Sequence, residues 1–277
     1  MLPKRRLKWA AIPAAASLLL LTGCSEAQLK MGYLPGDGKT TNHSQSIVDL
    51  WVSSWVILLL VGILSWGLMA WALIVYRRRK GDTALPVQLR YNMPIETLFT
   101  VVPFILVVGF FAFTAQTMTD IEKPNNPEVT VGVIGKQWSW DFNYTNSNVY
   151  DSGIQYQDGA NAQTEAELPT LYLPVNKRVE IDLNSRDVIH SFWVVEWLYK
   201  KDMFPGKTNR MYFTPTELGT FKGKCAELCG EFHSEMLFNV KVVTQAEYDA
   251  HIAALQAAGN VGQLGYENNR EQNLPGN

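Results

Sequence analysis

Two stretches of this chain carry no charged residue. Residues 51–76 make one uncharged run of 26, broken only by Ser and Gly, and residues 97–118 make a second of 22. As a helix the first reaches about 39 Å, long enough to cross a bilayer with some tilt. Trp51, Trp55, Trp71 and Tyr76 lie near its ends, where amphipathic rings favour the headgroup layer. Pro103 in the second run would break a soluble helix but is tolerated in a membrane helix with neighbours. The pattern predicts a transmembrane hairpin over residues 47–119.

Beyond residue 128 the period shortens. Runs rich in β-branched and aromatic residues occur at 129–134, 138–144, 171–173, 178–183, 190–195, 211–213 and 237–243. Turn signals such as Asn125-Asn126-Pro127, Asp158-Gly159, Pro205-Gly206 and Leu218-Gly219 separate them. Short strands at this spacing predict an all-β sandwich or Greek-key barrel over residues 120–245. Residues 143–167 read as a polar surface insertion. Residues 246–277 read as a tail that opens with a short amphipathic helix over 245–256 and is disordered from 259 onward.

The N-terminus has the layout of an export signal. Lys4, Arg5, Arg6 and Lys8 precede an apolar stretch over residues 9–21, with small residues after it. Leu21-Thr22-Gly23-Cys24 resembles a bacterial lipobox, in which the chain is cut before the Cys and a diacylglyceryl group is attached to its sulfur. The expected divisions are a signal peptide over 1–23, then an external segment over 24–46 starting at the lipidated Cys24. Arg77-Arg78-Arg79-Lys80 and Arg90 lie in the loop between the spans, so the positive-inside rule assigns the loop 77–96 to the cytoplasm. Both termini are then external, and a membrane-lipid anchor at Cys24 agrees with that orientation.

Averages over the 277 residues conceal this arrangement. Lys+Arg number 24 and Asp+Glu 26, a formal charge of −2, which excludes a dedicated nucleic-acid binder. Removing the signal takes four basic residues with it and leaves −2 − 4 = −6. Between residues 120 and 241 there are 17 acidic and 12 basic residues, and Asp141, Asp151, Asp158, Glu165 and Glu167 are candidates for an acidic face that attracts a basic partner.

Cysteine usage narrows the chemistry. Apart from Cys24 there are only Cys225 and Cys229, in Cys225-Ala226-Glu227-Leu228-Cys229-Gly230-Glu231-Phe232-His233-Ser234-Glu235-Met236. Two thiolates, an imidazole and a thioether within twelve residues form a soft donor set, which selects copper. Zinc rarely takes Met, and its ribbons use a second Cys pair that the chain lacks. A structural disulfide is the other reading of the pair in an oxidising compartment. One blue copper would need a single Cys, so two thiolates suit two bridged coppers, with a further His supplied from elsewhere. Of His43, His190 and His251, only His190 falls in a β-region, in Asp187-Val188-Ile189-His190-Ser191-Phe192-Trp193.

With these residues in place, the chain resembles subunit II of aa3-type cytochrome c oxidases over roughly residues 45–245. The family pattern Cys-x-Glu-x-Cys-x-x-x-His-x-x-Met is complete here. The resemblance implies two membrane helices and an external cupredoxin domain with a dinuclear copper centre, CuA. Cys225 and Cys229 would bridge the metals, His190 and His233 would be terminal ligands, Met236 a weak axial ligand, and Glu227 would give its backbone carbonyl. It implies electron input from cytochrome c, soluble or tethered, at Trp138 in Gly135-Lys136-Gln137-Trp138-Ser139-Trp140. The electron would pass to haem in subunit I, for reduction of O₂ to water with proton pumping, in a complex with other oxidase subunits. Further implied roles are magnesium binding by the Glu227 side chain at the subunit I contact and a proton-channel mouth at Glu96. No haem is expected in this chain, which lacks a Cys-x-x-Cys-His motif. Lys207 stands where the family often has Arg. The rival readings are a quinol oxidase subunit without copper and a membrane-tethered copper-delivery protein of thioredoxin-like fold.

Overall fold

The computed structural model describes residues 25–265 apart from 82, 84, 86, 87, 125 and 155–167. The signal, Cys24, Asp158, Glu165, Glu167 and the last twelve residues lie outside the described part. A short helix α1 (Glu26–Lys30) is closed by a capping box between Ser25 and Gln28. Helices α2 (Ser44–Val75) and α3 (Met93–Glu122) follow. Both run past the uncharged stretches, because polar side chains support the extra turns: Gln45 donates to Asp49 at 2.8 Å and Gln116 to Asp120 at 3.1 Å. At 32 and 30 residues they measure about 48 and 45 Å. Their apolar side chains are largely exposed, as expected where lipid or other subunits replace water.

The β-domain has two five-stranded sheets. The first contains β1 (Val129–Lys136), β2 (Ser139–Tyr144), β3 (Val149–Ser152), β5 (Val179–Ser185) and β8 (Asn209–Phe213), in the order β3-β2-β1-β5-β8. The second contains β4 (Thr170–Pro174), β6 (His190–Val194), β7 (Tyr199–Met203), β9 (Gly219–Cys225) and β10 (Leu237–Val243), in the order β4-β10-β9-β6-β7. Each sheet is mixed: β1 runs parallel to β5, and β10 to β4. This cupredoxin-like sandwich matches the expected class. The seven expected runs are all strands, while β3, β7 and β9 carry too many polar or Gly positions to read as strands from their pattern.

Aromatic rings fill the space between the sheets. Trp140, Phe142, Phe192 and Phe238 are fully buried, with Phe192 and Phe238 stacked at 4.8 Å. Gly223 is bare because the Phe238 ring occupies the place of its Cβ.

Three expectations need correction. Residues 149–152, expected within a surface insertion, form edge strand β3. Residues 259–265, expected to be disordered, are docked: Tyr150 N–H donates to Asn260 C=O at 3.1 Å, and Asn143 exchanges two 2.9 Å hydrogen bonds with the Leu264 backbone. They follow α4 (Gln245–Ala257) and supply the partners that the buried Asn143 side chain of β2 needs. Asp141 is no part of an acidic surface, because Lys136 Nζ reaches it at 2.6 Å with both side chains at 2% exposure or less.

The N-terminal segment ties the helices to the sandwich. Asn42 N–H donates to Thr214 C=O at 3.0 Å, Thr214 N–H returns a 2.7 Å bond to Asn42 Oδ1, and Thr40 Oγ1 donates to Glu196 C=O at 2.8 Å. Glu122 at the end of α3 meets Lys201 of β7 at 2.8 Å.

Candidate metal centre

The soft donors meet at one end of the sandwich. Cys225 ends β9 and Met236 immediately precedes β10, and the pairing of Leu237 with Lys224 brings the two ends of the intervening loop together. The Cys225 N–H donates to Met236 C=O at 3.0 Å and closes the loop neck. Within the loop, Gly230 at φ +124° turns the chain after Cys229, and a 3-10 turn over His233–Glu235 returns His233 to the sulfurs. His190 comes from the neighbouring strand. β6 pairs with β9 at Phe192 and Cys225, and Ala226 N–H donates to Ser191 C=O at 3.0 Å, so the first residue of β6 lies beside the loop.

The Cys225 and Cys229 sulfurs are 3.8 Å apart, and both are free thiols. A disulfide would hold them near 2 Å. His190 Nδ1 lies 3.8 Å from Cys225 Sγ, His233 Nδ1 3.4 Å from Cys229 Sγ, and Met236 Sδ 3.8 Å from Cys229 Sγ. The donor atoms of His190, Cys225 and Cys229 all lie within 4.8 Å of one another. His190, Cys225, Cys229 and Met236 are buried and His233 is half-buried. Glu227 is exposed, while its carbonyl oxygen sits 3.2 Å from Cys225 Sγ.

The two sulfurs are electrostatically coupled. The hydrogen bond to Cys229 stabilises a thiolate at Cys225, whereas Cys225 beside it pushes the Cys229 thiol up. Two adjacent thiolates without a cation repel each other. Burial disfavours charge on His190, but hydrogen bonds from the ring to Asp187 and Cys225 outweigh it and raise its pKa. Burial likewise opposes charge on Asp187, yet bonds from His190 and from the Gln137 and Val188 N–H groups hold it below the usual carboxylate range. The 2.8 Å contact between Asp187 Oδ1 and His190 Nε2 keeps a proton on Nε2 and leaves Nδ1 facing the sulfur.

The sequence pattern gave no sign of three supporting residues. Asp187 has no motif of its own. Gln137 donates from its side chain to Cys229 C=O at 2.7 Å. Gly135 leaves room for the His190 ring, whose Cδ2 lies 2.8 Å from where a Cβ would be. Trp138 is half-buried beside the ligand loop, edge-on to Phe232 at 4.9 Å. Glu96 lies in the first turn of α3, far along the chain from the cluster, and accepts from Asn92 N–H at 2.8 Å as a helix cap.

Two buried cysteines, a buried and a half-buried imidazole and a buried thioether at the end of a cupredoxin-like sandwich, carried on two helices of membrane-spanning length, define a membrane-bound protein fitted for a soft metal. Comparison with known proteins makes the class specific. Residues 129–243 match the family model described as cytochrome c oxidase subunit II, periplasmic domain. The chain is 42% identical to the probable cytochrome c oxidase subunit 2 of Streptomyces avermitilis, over 98% of this chain and 96% of that protein. It is 32% identical to cytochrome c oxidase subunit 2 of Mycobacterium bovis, over 90% of this chain and 82% of that one. Among solved structures it is similar to the periplasmic domain of subunit II of the Bradyrhizobium japonicum cytochrome oxidase, at 27% identity and a TM-score of 0.42, over 48% of this chain and 97% of that one. The chain belongs to the cytochrome c oxidase subunit II family.

Proposed function

We propose that this chain is the electron-input subunit of a haem-copper oxidase, receiving electrons from a cytochrome c at a dinuclear copper centre and delivering them toward haem in subunit I. The observation that carries the reading is the convergence of His190, Cys225, Cys229, His233 and Met236 at one buried loop. The donor set fits copper by softness, and the spread of five side chains and the Glu227 carbonyl around two sulfurs suits two metals better than one. When bound, the copper pair supplies a one-electron store whose charge is shared over two metals.

The protein's own groups do the rest. Asp187 holds the His190 tautomer and ring plane. The stacked aromatic core and the closed loop neck keep the donors in one geometry, so little rearrangement accompanies a change of charge. Trp138 presents an indole between solvent and the Cys229–Gly230 backbone, the natural point of electron input. The exposed Glu227 carboxylate is a hard ligand suited to magnesium at the subunit I contact. A first-turn carboxylate of α3, Glu96, takes the role of a proton-channel mouth on the cytoplasmic side in this reading. Signal removal, a lipid on Cys24, an external β-domain and a bacterial plasma membrane complete the reading.

EPR of the copper-loaded protein tests it. The expected signal is one unpaired electron shared by two coppers, with a seven-line hyperfine pattern that is lost in Cys225→Ser and retained in Trp138→Ala. A four-line signal from a single copper would overturn the dinuclear assignment.

A further inference from the structure

Among the described residues no strand of one sheet pairs with a strand of the other, and near the metal end the backbone link between them is an isolated bridge between Ser185 and Pro205. The β1–β2 hairpin, with Gln137 and Trp138 at its tip, belongs to the first sheet, and the ligand loop joins β9 to β10 of the second. Side chains bridge the gap. Gln137 Nε2 donates to Cys229 C=O at 2.7 Å, and Gln137 backbone N–H donates to Asp187 Oδ2 at 2.7 Å. Asp187 spends its other oxygen on His190 at 2.8 Å. One residue is thereby linked to the backbone of one cysteine and, through a carboxylate, to a histidine. The next residue rests on the same loop: a Cβ on Gly230 would lie 3.0 Å from Trp138 Cζ2 and 3.1 Å from Gln137 Nε2.

We propose that Gln137 is a positioning residue for electron input: its side-chain amide sets the distance between the Trp138 indole and the Cys229–Gly230 backbone. The inference rests on the reading of Trp138 and the copper loop given above. Tunnelling falls exponentially with the gap, and the hairpin tip and loop are separated by 92 residues in sequence. Loss of this hydrogen bond removes one tie between tip and loop, leaving the Gln137 N–H bond to Asp187 and the Trp138–Phe232 contact, while the ligands keep their own loop closure.

The test uses the assembled oxidase with Gln137→Ala and Gln137→Glu, the second keeping the length but having no N–H to donate. Both are expected to retain the two-copper EPR signal. Both should slow the first-order step within the preformed donor complex, with donor KM unchanged. Hydrogen exchange of residues 229–232 should rise in both. A raised KM with an unchanged first-order step would make Gln137 a donor contact and overturn the proposal. Wild-type rates and exchange in both variants would do the same, as would loss of the copper signal, which would assign Gln137 to metal retention. A wild-type complex without the two-copper signal would instead overturn the copper reading itself.

Discussion

Gly135 has no side chain where the His190 ring needs the space, and Lys136 next to it is buried against Asp141. These neighbours support two predictions at the scale of single residues. Gly135→Ala forces a methyl into contact with a ring already fixed by Asp187, so overpacking should cost about 1–3 kcal/mol. It should also weaken copper retention, checked by chelator competition. Asp141→Ala strands the buried Lys136 ammonium, whose partners are Asp141 at 2.6 Å and Ser152 at 3.1 Å. Removing one member of such a pair costs about 3–5 kcal/mol, visible as a large drop in Tm. Neither role follows from residue type: a Gly in a strand and a Lys-Gln-Trp tip look like turn and surface until the neighbouring sheet is known.

Helix α4 shows how an element is held by its ends and one face. Thr244 and Glu247 form a capping box, and Tyr248, Ile252 and Leu255 are buried. His251 stacks on Tyr172 at 3.8 Å between ring centroids and lies 3.4 Å from the Tyr144 hydroxyl. Burial, aided by Lys241, lowers the His251 pKa. The undocked chain therefore takes up the proton first as pH falls, so docking is fully stabilised above the ordinary histidine value near 6.5 and weakens below it. Hydrogen exchange over residues 245–257 should accelerate on acidification, and His251→Phe should flatten that response. The helix itself was legible from its apolar spacing. The docking of residues 259–265 was not, because Leu264 is held by backbone bonds to Asn143, 121 residues away.

For the whole molecule the governing feature is the separation of charge. A basic loop and two helices with long uncharged stretches precede a β-domain with an acid excess, 17 against 12 over residues 120–241. Long-range attraction of this kind accelerates encounter with a basic donor and is screened within about 10 Å at 0.1 M salt. Turnover with a soluble, basic cytochrome c should fall steeply with added salt; a flat response would remove the acidic surface from the account. Burial of Asp141 shifts any such surface to the other acidic residues of the domain. The contacts of Thr40 and Asn42 with the sandwich, and of Glu122 with Lys201, brace that surface against the helices.

The amino-acid order alone determined the main elements that depend on local composition. Uncharged length marks the two long helices, strand periodicity marks seven of the ten strands among the described residues, and the motif from Cys225 to Met236 names most of the donors because they share one loop. Tertiary structure decided what depends on chain segments meeting. It brought His190 to Cys225 across 35 residues and Gln137 to Cys229 across 92. It also withdrew Asp141 into a buried ion pair and docked the tail. The physical reason is that burial and hydrogen bonding at such points belong to pairs of segments, and no single segment carries the signal of its partner.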